Sequence, residues 1–235
     1  IVTDSSADLP AELAQQRQIT VLPCYVIMDG ISHQDGVDLS HDDFYRRLVS
    51  MDRPPTTAQP SAADFQSAYS GLLEQGHQIL SIHLSGKLSG TLNSAEQARS
   101  ALNAGEAIRI IDSRLASIPL GLVVLAAAEA AERAGSLEDL EGQVRDGLPR
   151  TEAFFLLDTL EFLEKGGRIG KAQAFLGSVL RVKPILRLVD GEVHPVERAR
   201  TQARGMTRLL ELTGALGPAE RVAVIYSTDE EGARH

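Results

Sequence analysis

Gln78-Ile79-Leu80-Ser81-Ile82-His83-Leu84-Ser85-Gly86-Lys87-Leu88-Ser89-Gly90-Thr91-Leu92 is the stretch whose reading decides the fold. Its first seven residues are a short apolar strand, Ser85 to Thr91 form a loop of small and polar residues, and Leu92 to Leu102 have the periodicity of a helix. The same beat occurs upstream. Ile1 to Ser6 looks like the end of a buried strand running into a polar turn, with a helix from Pro10 towards Gln16. It recurs downstream, where a strand from Ala107 to Ile111 ends at Asp112-Ser113 and helices follow over 117–134 and, from a cap at Ser136, over 137–147. Alternation of this kind implies a parallel sheet covered by helices on both faces, a three-layer α/β/α arrangement over residues 1–150. Such sheets bind ligands beyond the carboxyl ends of their strands, where the loops at Asp4, Ser85 and Asp112 would gather.

Between the first two beats, Ile19 to Met28 reads as one strand ending in a tight hairpin at Asp29-Gly30. Ser40 with Asp43, and Ser61 with Asp64, resemble helix-start boxes and predict helices over 41–50 and 62–75. After Leu148-Pro149 the pattern changes. A strand from Ala153 to Leu157, helices over Thr159–Lys165 and Lys171–Leu180, and hairpin strands about Asp190-Gly191 predict a second, smaller α/β domain with a mixed sheet over 151–235. A helix over Thr201–Leu212 and a strand over Val222–Tyr226 complete it. A chain opening inside an apparent strand at Ile1 and stopping just behind a strand suggests missing residues at both ends.

Composition narrows the function. The chain has 235 residues, 43% hydrophobic and 23% charged, enough to bury a sizeable core and too balanced for a disordered or low-complexity chain. A net charge of -9 argues against nucleic acid as a partner. The single cysteine, Cys24, forms no internal disulfide and reads as a small apolar residue buried in a strand, which favours a reducing, cytoplasmic setting. Ile118 to Ala131, the longest apolar stretch, falls short of the ~20 residues of a membrane span and carries Pro119 and Gly121, so it reads as a buried helix. His83 and His194 stand alone in strand-like contexts and read as structural; no metal constellation is expected.

Three loops have the residue types for binding. In Ser85–Thr91 the glycines permit close backbone approach and the following helix start offers N–H donors to an anionic group, against the plainer reading of a capped helix start. It lacks the order Gly-x-x-x-x-Gly-Lys-Ser/Thr and the Rossmann glycine pattern, so no nucleotide cofactor is expected. In Pro54-Pro55-Thr56-Thr57-Ala58-Gln59-Pro60-Ser61 three prolines stiffen a presenter of hydroxyls, better suited to holding a carboxylate than to attacking a carbonyl, against the plainer reading of an ordinary turn with Ser61 as a helix cap. In Lys165-Gly166-Gly167-Arg168-Ile169-Gly170-Lys171, Arg168 sits in a glycine-rich turn where its guanidinium can fork onto carboxylate or phosphate, or simply pair with a surface acid.

Taken together and in order, Val2-Thr3-Asp4-Ser5-Ser6-Ala7-Asp8-Leu9-Pro10, Thr56 to Ser61, Ser85 to Thr91, Gly166-Gly167-Arg168-Ile169 and Leu180-Arg181-Val182-Lys183-Pro184-Ile185-Leu186 resemble the DegV family of bacterial fatty-acid-binding proteins, which serve fatty acid kinase as its lipid-binding subunit. The resemblance covers almost the whole chain. It implies a non-catalytic protein without a cofactor, which encloses a long-chain fatty acid mainly in its second domain and hydrogen-bonds the carboxylate from the first. Thr57, Ser85, Gly86 and Ser89 match the carboxylate-binding positions, and Arg168 matches an arginine near the headgroup or the kinase. The implied partners are a long-chain fatty acid, the kinase's catalytic subunit, and transiently a membrane surface; the implied pathway is phospholipid synthesis. Two departures stand out: Ser85 is followed by Gly86 where the family commonly has a second serine, and the chain ends before the family's C-terminal headgroup histidine.

Phe154, Phe155, Leu156, Phe162, Leu163, Phe175, Leu176 and Val179 are the apolar residues for an acyl tunnel, and serve equally as core. Two other functional classes remain. An enzyme acting on a phosphorylated or carboxylated metabolite would use Asp4 or Asp112 as general base with Arg168 on the anion. A regulatory interaction module would carry its lipid incidentally.

Overall fold

The computed structural model describes residues 1–51, 53–176, 182–227, 231 and 233. Its two compact units are Ile1–Thr151 with Ala223–His235, and Glu152–Val222. In the first, β1 (Val2–Asp4), α1 (Ala11–Gln16), β2 (Thr20–Leu22), β3 (Tyr25–Met28), β4 (Ile31–Gln34), α2 (His41–Leu48), β5 (Thr56–Ala58), α3 (Ala62–Glu74), β6 (Ile79–His83), α4 (Thr91–Ala101), β7 (Ile108–Asp112), α5 (Ile118–Ala131) and α6 (Leu137–Gly147) follow in order.

A parallel sheet forms in the order β2-β1-β6-β7, with Val2 opposite both Thr20 and Ser81, and His83 opposite Asp112. The period-2 pattern of β6 sorts its side chains onto two cores. Leu80 and Ile82 face the cluster of Leu120, Val124, Ala127, Leu140 and Val144 from α5 and α6. Ile79 faces the cluster of Phe65, Tyr69, Ala95 and Ala98 from α3 and α4. Both faces are covered, which is why β6 is buried at all five residues. Burying Phe65 and Tyr69 completely contributes about 1.5–3 kcal/mol for a side chain of this size. The capping box expected at Ser61 and Asp64 is present at the head of α3, and Ser40 and Ser136 cap α2 and α6.

The strand expected over Ile19–Met28 is in fact two strands in two sheets. Pro23, which has no N–H for a ladder, interrupts it, and Cys24 lies in the break and not in a strand. Here the chain leaves the parallel sheet and enters an antiparallel one, β4-β3-β5. The hairpin at Asp29-Gly30 forms as the sequence predicts, with φ of 51° and 81°, the pair a type I′ turn requires.

The second unit comprises β8 (Phe154–Leu156), α7 (Glu161–Lys165), β9 (Lys183–Val189), β10 (Glu192–Ala199) and α8 (Gln202–Gly214). Its sheet, expected to be mixed, is antiparallel across the described strands in the order β10-β9-β8, because each is joined to or laid beside its neighbour in hairpin sense. The helix expected from Lys171 to Leu180 is a 3₁₀ segment over Gly170–Phe175, and Val179, Leu180 and Arg181 lie outside the described residues. On α8, Arg208 forks onto the carboxylate of Glu197 in β10 at 2.8 Å from both Nε and Nη2. The strand expected over Val222–Tyr226 is absent: the segment is irregular and Val222, Val224, Ile225 and Tyr226 are exposed, since β-propensity without a ladder partner does not make a strand.

At the start of α5 backbone approaches backbone too closely for any side chain. A Cβ at Gly121 of α5 would lie 2.5 Å from the carbonyl oxygen of Ala7. Gly121→Ala is expected to cost about 1–3 kcal/mol through displacement of α5, read as a lower urea midpoint with the fold retained. A midpoint equal to wild type would refute the close packing.

Candidate functional site

The sheet order places a topological switch between β1 and β6: the chain proceeds from β1 outward to β2 on one side and from β6 outward to β7 on the other. Asp4, His83 and Asp112 stand at the carboxyl ends of β1, β6 and β7. The three loops that the sequence analysis placed at this edge meet here. The Leu84 N–H donates to Asp4 Oδ2 at 3.4 Å, and the Gly86 N–H donates to Asp112 Oδ1 at 3.2 Å.

Beneath the loops lies a fully buried polar chain. His83 Nδ1 is 2.8 Å from Asp4 Oδ2, His83 Nε2 is 2.7 Å from Ser81 Oγ, and the Tyr69 hydroxyl donates to Ser81 Oγ at 2.7 Å. All four side chains are inaccessible to water. A carboxylate only accepts, so Nδ1 carries a proton towards Asp4; assigning the ring one proton then has Nε2 accept from Ser81, which accepts from Tyr69. The other carboxylate oxygen of Asp4 accepts from the backbone N–H and the hydroxyl of Ser6. Ser81, His83 and Asp4 thus have the connectivity of a serine hydrolase triad, but with Ser81 at 0% exposure no substrate reaches its oxygen. The expected structural role for His83 is the one observed.

In the 85–91 loop most backbone donors are spent within the protein. Besides Gly86, the N–H of Lys87 donates to Ser85 Oγ, those of Leu88 and Ser89 to the Ser85 carbonyl, and that of Thr91 to Ser89 Oγ. Asp112 therefore sits where an external anion would take the Gly86 amide, and a Cβ at position 86 would lie 3.2 Å from its Oδ2. Ser85 is fully buried, whereas Ser89 is half-buried and shares a 2.9 Å hydrogen bond with the Thr91 hydroxyl. Thr57 lies exposed on β5, paired with Val26 of β3. The hydroxyl loop and the glycine loop adjoin, because the Gln59 amide is 2.8 Å from where a Cβ of Gly90 would stand.

Several groups at this edge had no distinct signal in the sequence. Ser117 precedes α5 with φ 60° and ψ −156°, a conformation normally left to glycine, and its hydroxyl donates not to the helix but to Asp8 Oδ2 at 2.6 Å. Ser5 Oγ accepts the Cys24 N–H at 3.0 Å and so ties the β1 turn to the break between β2 and β3. Burial, with Asp4 and Asp35 nearby, pushes the Cys24 thiol up to about 12. A thiol that stays protonated should react with iodoacetamide at pH 8 far more slowly than free cysteine does; a free-cysteine rate would contradict this environment.

In the second unit Arg168 follows α7 in an exposed turn, and its guanidinium donates to the Gly166 carbonyl. Of the apolar residues singled out there, Phe154, Phe155, Leu156, Leu163, Phe175 and Leu176 are half-buried and Phe162 is exposed. Arg198 stacks on the Phe175 ring at 4.4 Å. Among the described residues no group of side chains is placed to hold a metal ion, and no helix is long and apolar enough to cross a membrane.

A parallel sheet with hydroxyl-bearing loops at its switch point, in one chain with a small antiparallel-sheet unit, defines a two-unit α/β protein. The family model described as "Uncharacterised protein, DegV family" matches residues 1–235, and the chain belongs to the DegV family. A DegV domain-containing protein of Caldanaerobacter subterraneus is 35% identical over 98% of this chain and 82% of its own. Among solved structures, a fatty-acid-binding DegV family protein of Thermus thermophilus superposes with a TM-score of 0.84 at 38% identity, covering 92% of this chain and 76% of its own. A stearic-acid-binding protein of Eubacterium ventriosum gives 0.83 at 27% identity, covering 92% and 75%.

Asp8 offers a test of the site's electrostatics. Burial raises its carboxyl above the ordinary 3.8, opposed by the Ser117 hydrogen bond. A raised folded value means the folded state holds the proton more tightly, so stability falls as pH rises from 3.8 through the folded value, and the cost persists at neutrality. Asp8→Asn keeps an acceptor for Ser117 and removes the charge. It should be more stable than wild type at pH 7 and lose less stability across that window, measured by urea unfolding at several pH values; an unchanged pH dependence would remove Asp8 from this role.

Proposed function

We propose that the protein carries one long-chain fatty acid, holding the carboxyl group with the hydroxyls of Thr57 and Ser89 beside the buried Ser85, and hands that group to a separate ATP-dependent kinase. The observation that carries the reading is the pair of adjoining hydroxyl loops at the switch point, in a chain whose structural relatives from Thermus thermophilus and Eubacterium ventriosum bind fatty acids. The chemistry agrees. Each methylene removed from water contributes about 0.8 kcal/mol, so the acyl chain supplies affinity and the head supplies orientation. A carboxyl group taken out of water needs hydrogen bonds, which uncharged hydroxyls give.

The kinase is part of the proposal because this chain has no Walker loop and its glycine loop has Asp112 on the Gly86 amide, which leaves little to receive a triphosphate. Phosphoryl transfer to the fatty acid carboxylate, yielding an acyl phosphate for phospholipid synthesis, would be the partner's reaction. Arg168 is proposed as a contact for the headgroup or that partner.

Native mass spectrometry of freshly purified protein is expected to show one bound fatty acid, and delipidated protein to take up stearate or oleate; failure to take up any long-chain acid would end the proposal. Thr57→Ala and Ser89→Ala should each release the lipid about five- to tenfold faster, the worth of one hydrogen bond. Unchanged release in both would remove these hydroxyls from the site. Arg168→Ala should slow acyl phosphate formation by an added kinase, scored as the hydroxamate, and an unchanged rate would remove Arg168 from both the headgroup and the partner contact.

A further inference from the structure

We propose that Asp4, held in place by the buried chain of Tyr69, Ser81 and His83, is the positioning residue of the headgroup site. The inference rests on the fatty-acid reading above and adds to it the element that holds the binding loops in place before any ligand arrives.

Asp4 is fully buried, and its carboxylate receives donors from both sides of the switch point. From its own strand's turn come the Ser6 N–H and hydroxyl. From β6 come His83 Nδ1 at 2.8 Å and the Leu84 N–H at 3.4 Å, the latter one residue before the glycine loop. The turn it shapes passes the constraint on: Ser5 Oγ holds the Cys24 N–H, Cys24 leads into β3, and β3 carries Thr57 of β5 opposite Val26. One acceptor thereby registers the two loops that bear Thr57 and Ser89.

The rest of the chain explains why the acceptor does not rotate. Tyr69 gives its proton to Ser81 and Ser81 gives its own to Nε2, so the imidazole has only Nδ1–H to offer and can offer it only to Asp4. Phe65 closes the remaining side, its ring edge-on to the imidazole with centroids 5.0 Å apart. A network with each donor used once and in one direction has a single low-energy arrangement. It adds no contact to the lipid; it removes the cost of ordering the loops that make those contacts.

The first test needs no substitution. Nitrogen-15 NMR of the histidine side chains in the full chain, delipidated and oleate-loaded, should show His83 with Nδ1 protonated in both, and the Nδ1 proton resonance should move on loading. An Nε2–H tautomer, or a resonance indifferent to oleate, would overturn the proposal. The second compares Asp4→Asn with Leu140→Ala, a core variant in α6 on the opposite face of the sheet, which serves as a stability control. Asp4→Asn is expected to raise the oleate release rate about tenfold or more, the scale of a charged hydrogen bond. It should also speed amide hydrogen exchange at Ser6 and Leu84 in delipidated protein, while Leu140→Ala lowers the unfolding midpoint without either change. Release that simply tracks stability in both variants would overturn the proposal. A wild type that takes up no oleate defeats the fatty-acid reading alone, and the tautomer and amide exchange still judge the chain.

Discussion

One buried carboxylate meeting one imidazole at the junction of β1 and β6 is the constraint on which the rest of this structure depends. Two parallel strands that adjoin in space and lie 79 residues apart in sequence are locked by the Asp4–His83 pair. A carboxylate in a dry interior is costly unless it is fully hydrogen-bonded, and here one oxygen is engaged from the turn after β1 and the other from the end of β6. Removing one partner would leave a buried group unsatisfied, a larger penalty than the net worth of the bond itself.

From that junction the division of labour between side chains and backbone follows. Glycine loops at sheet edges ordinarily lend their amides to an incoming anion. In this chain Asp112 takes the Gly86 amide and the loop's own oxygens take four more, which is why the proposed recognition falls to the hydroxyls of Thr57 and Ser89. Hydroxyls both donate and accept, and they suit a head that is oriented by hydrogen bonds while the affinity comes from elsewhere.

Much of this was legible in the sequence. The strand, loop and helix around Ile79–Ala101 announced themselves by a change of hydrophobic period across a glycine-bearing turn, and the Ser61/Asp64 box and the Asp29-Gly30 hairpin are purely local signals. What eluded the reading was non-local. Ile19 to Met28 has high β-propensity on either side of Pro23, the one residue that marks the change of sheet. Val222 to Tyr226 has the same propensity and stays irregular, because a strand is defined by its neighbour. Ser81 and His83, two polar residues at alternate positions of an apolar strand, were the one visible trace of the buried chain. Tyr69 and Asp4, their partners, could be joined to them only by the fold. Likewise the loops bearing Thr57 and Ser89 were recognisable separately, and their adjacency came from the packing of Gln59 against Gly90.

The Cys24 environment has a practical consequence for anyone wishing to watch this molecule at work. Because the chain's lone sulfhydryl is so reluctant to ionise, maleimide dyes or spin labels attached through new cysteines on exposed positions would report from the chosen place alone, with no need to engineer away the native one.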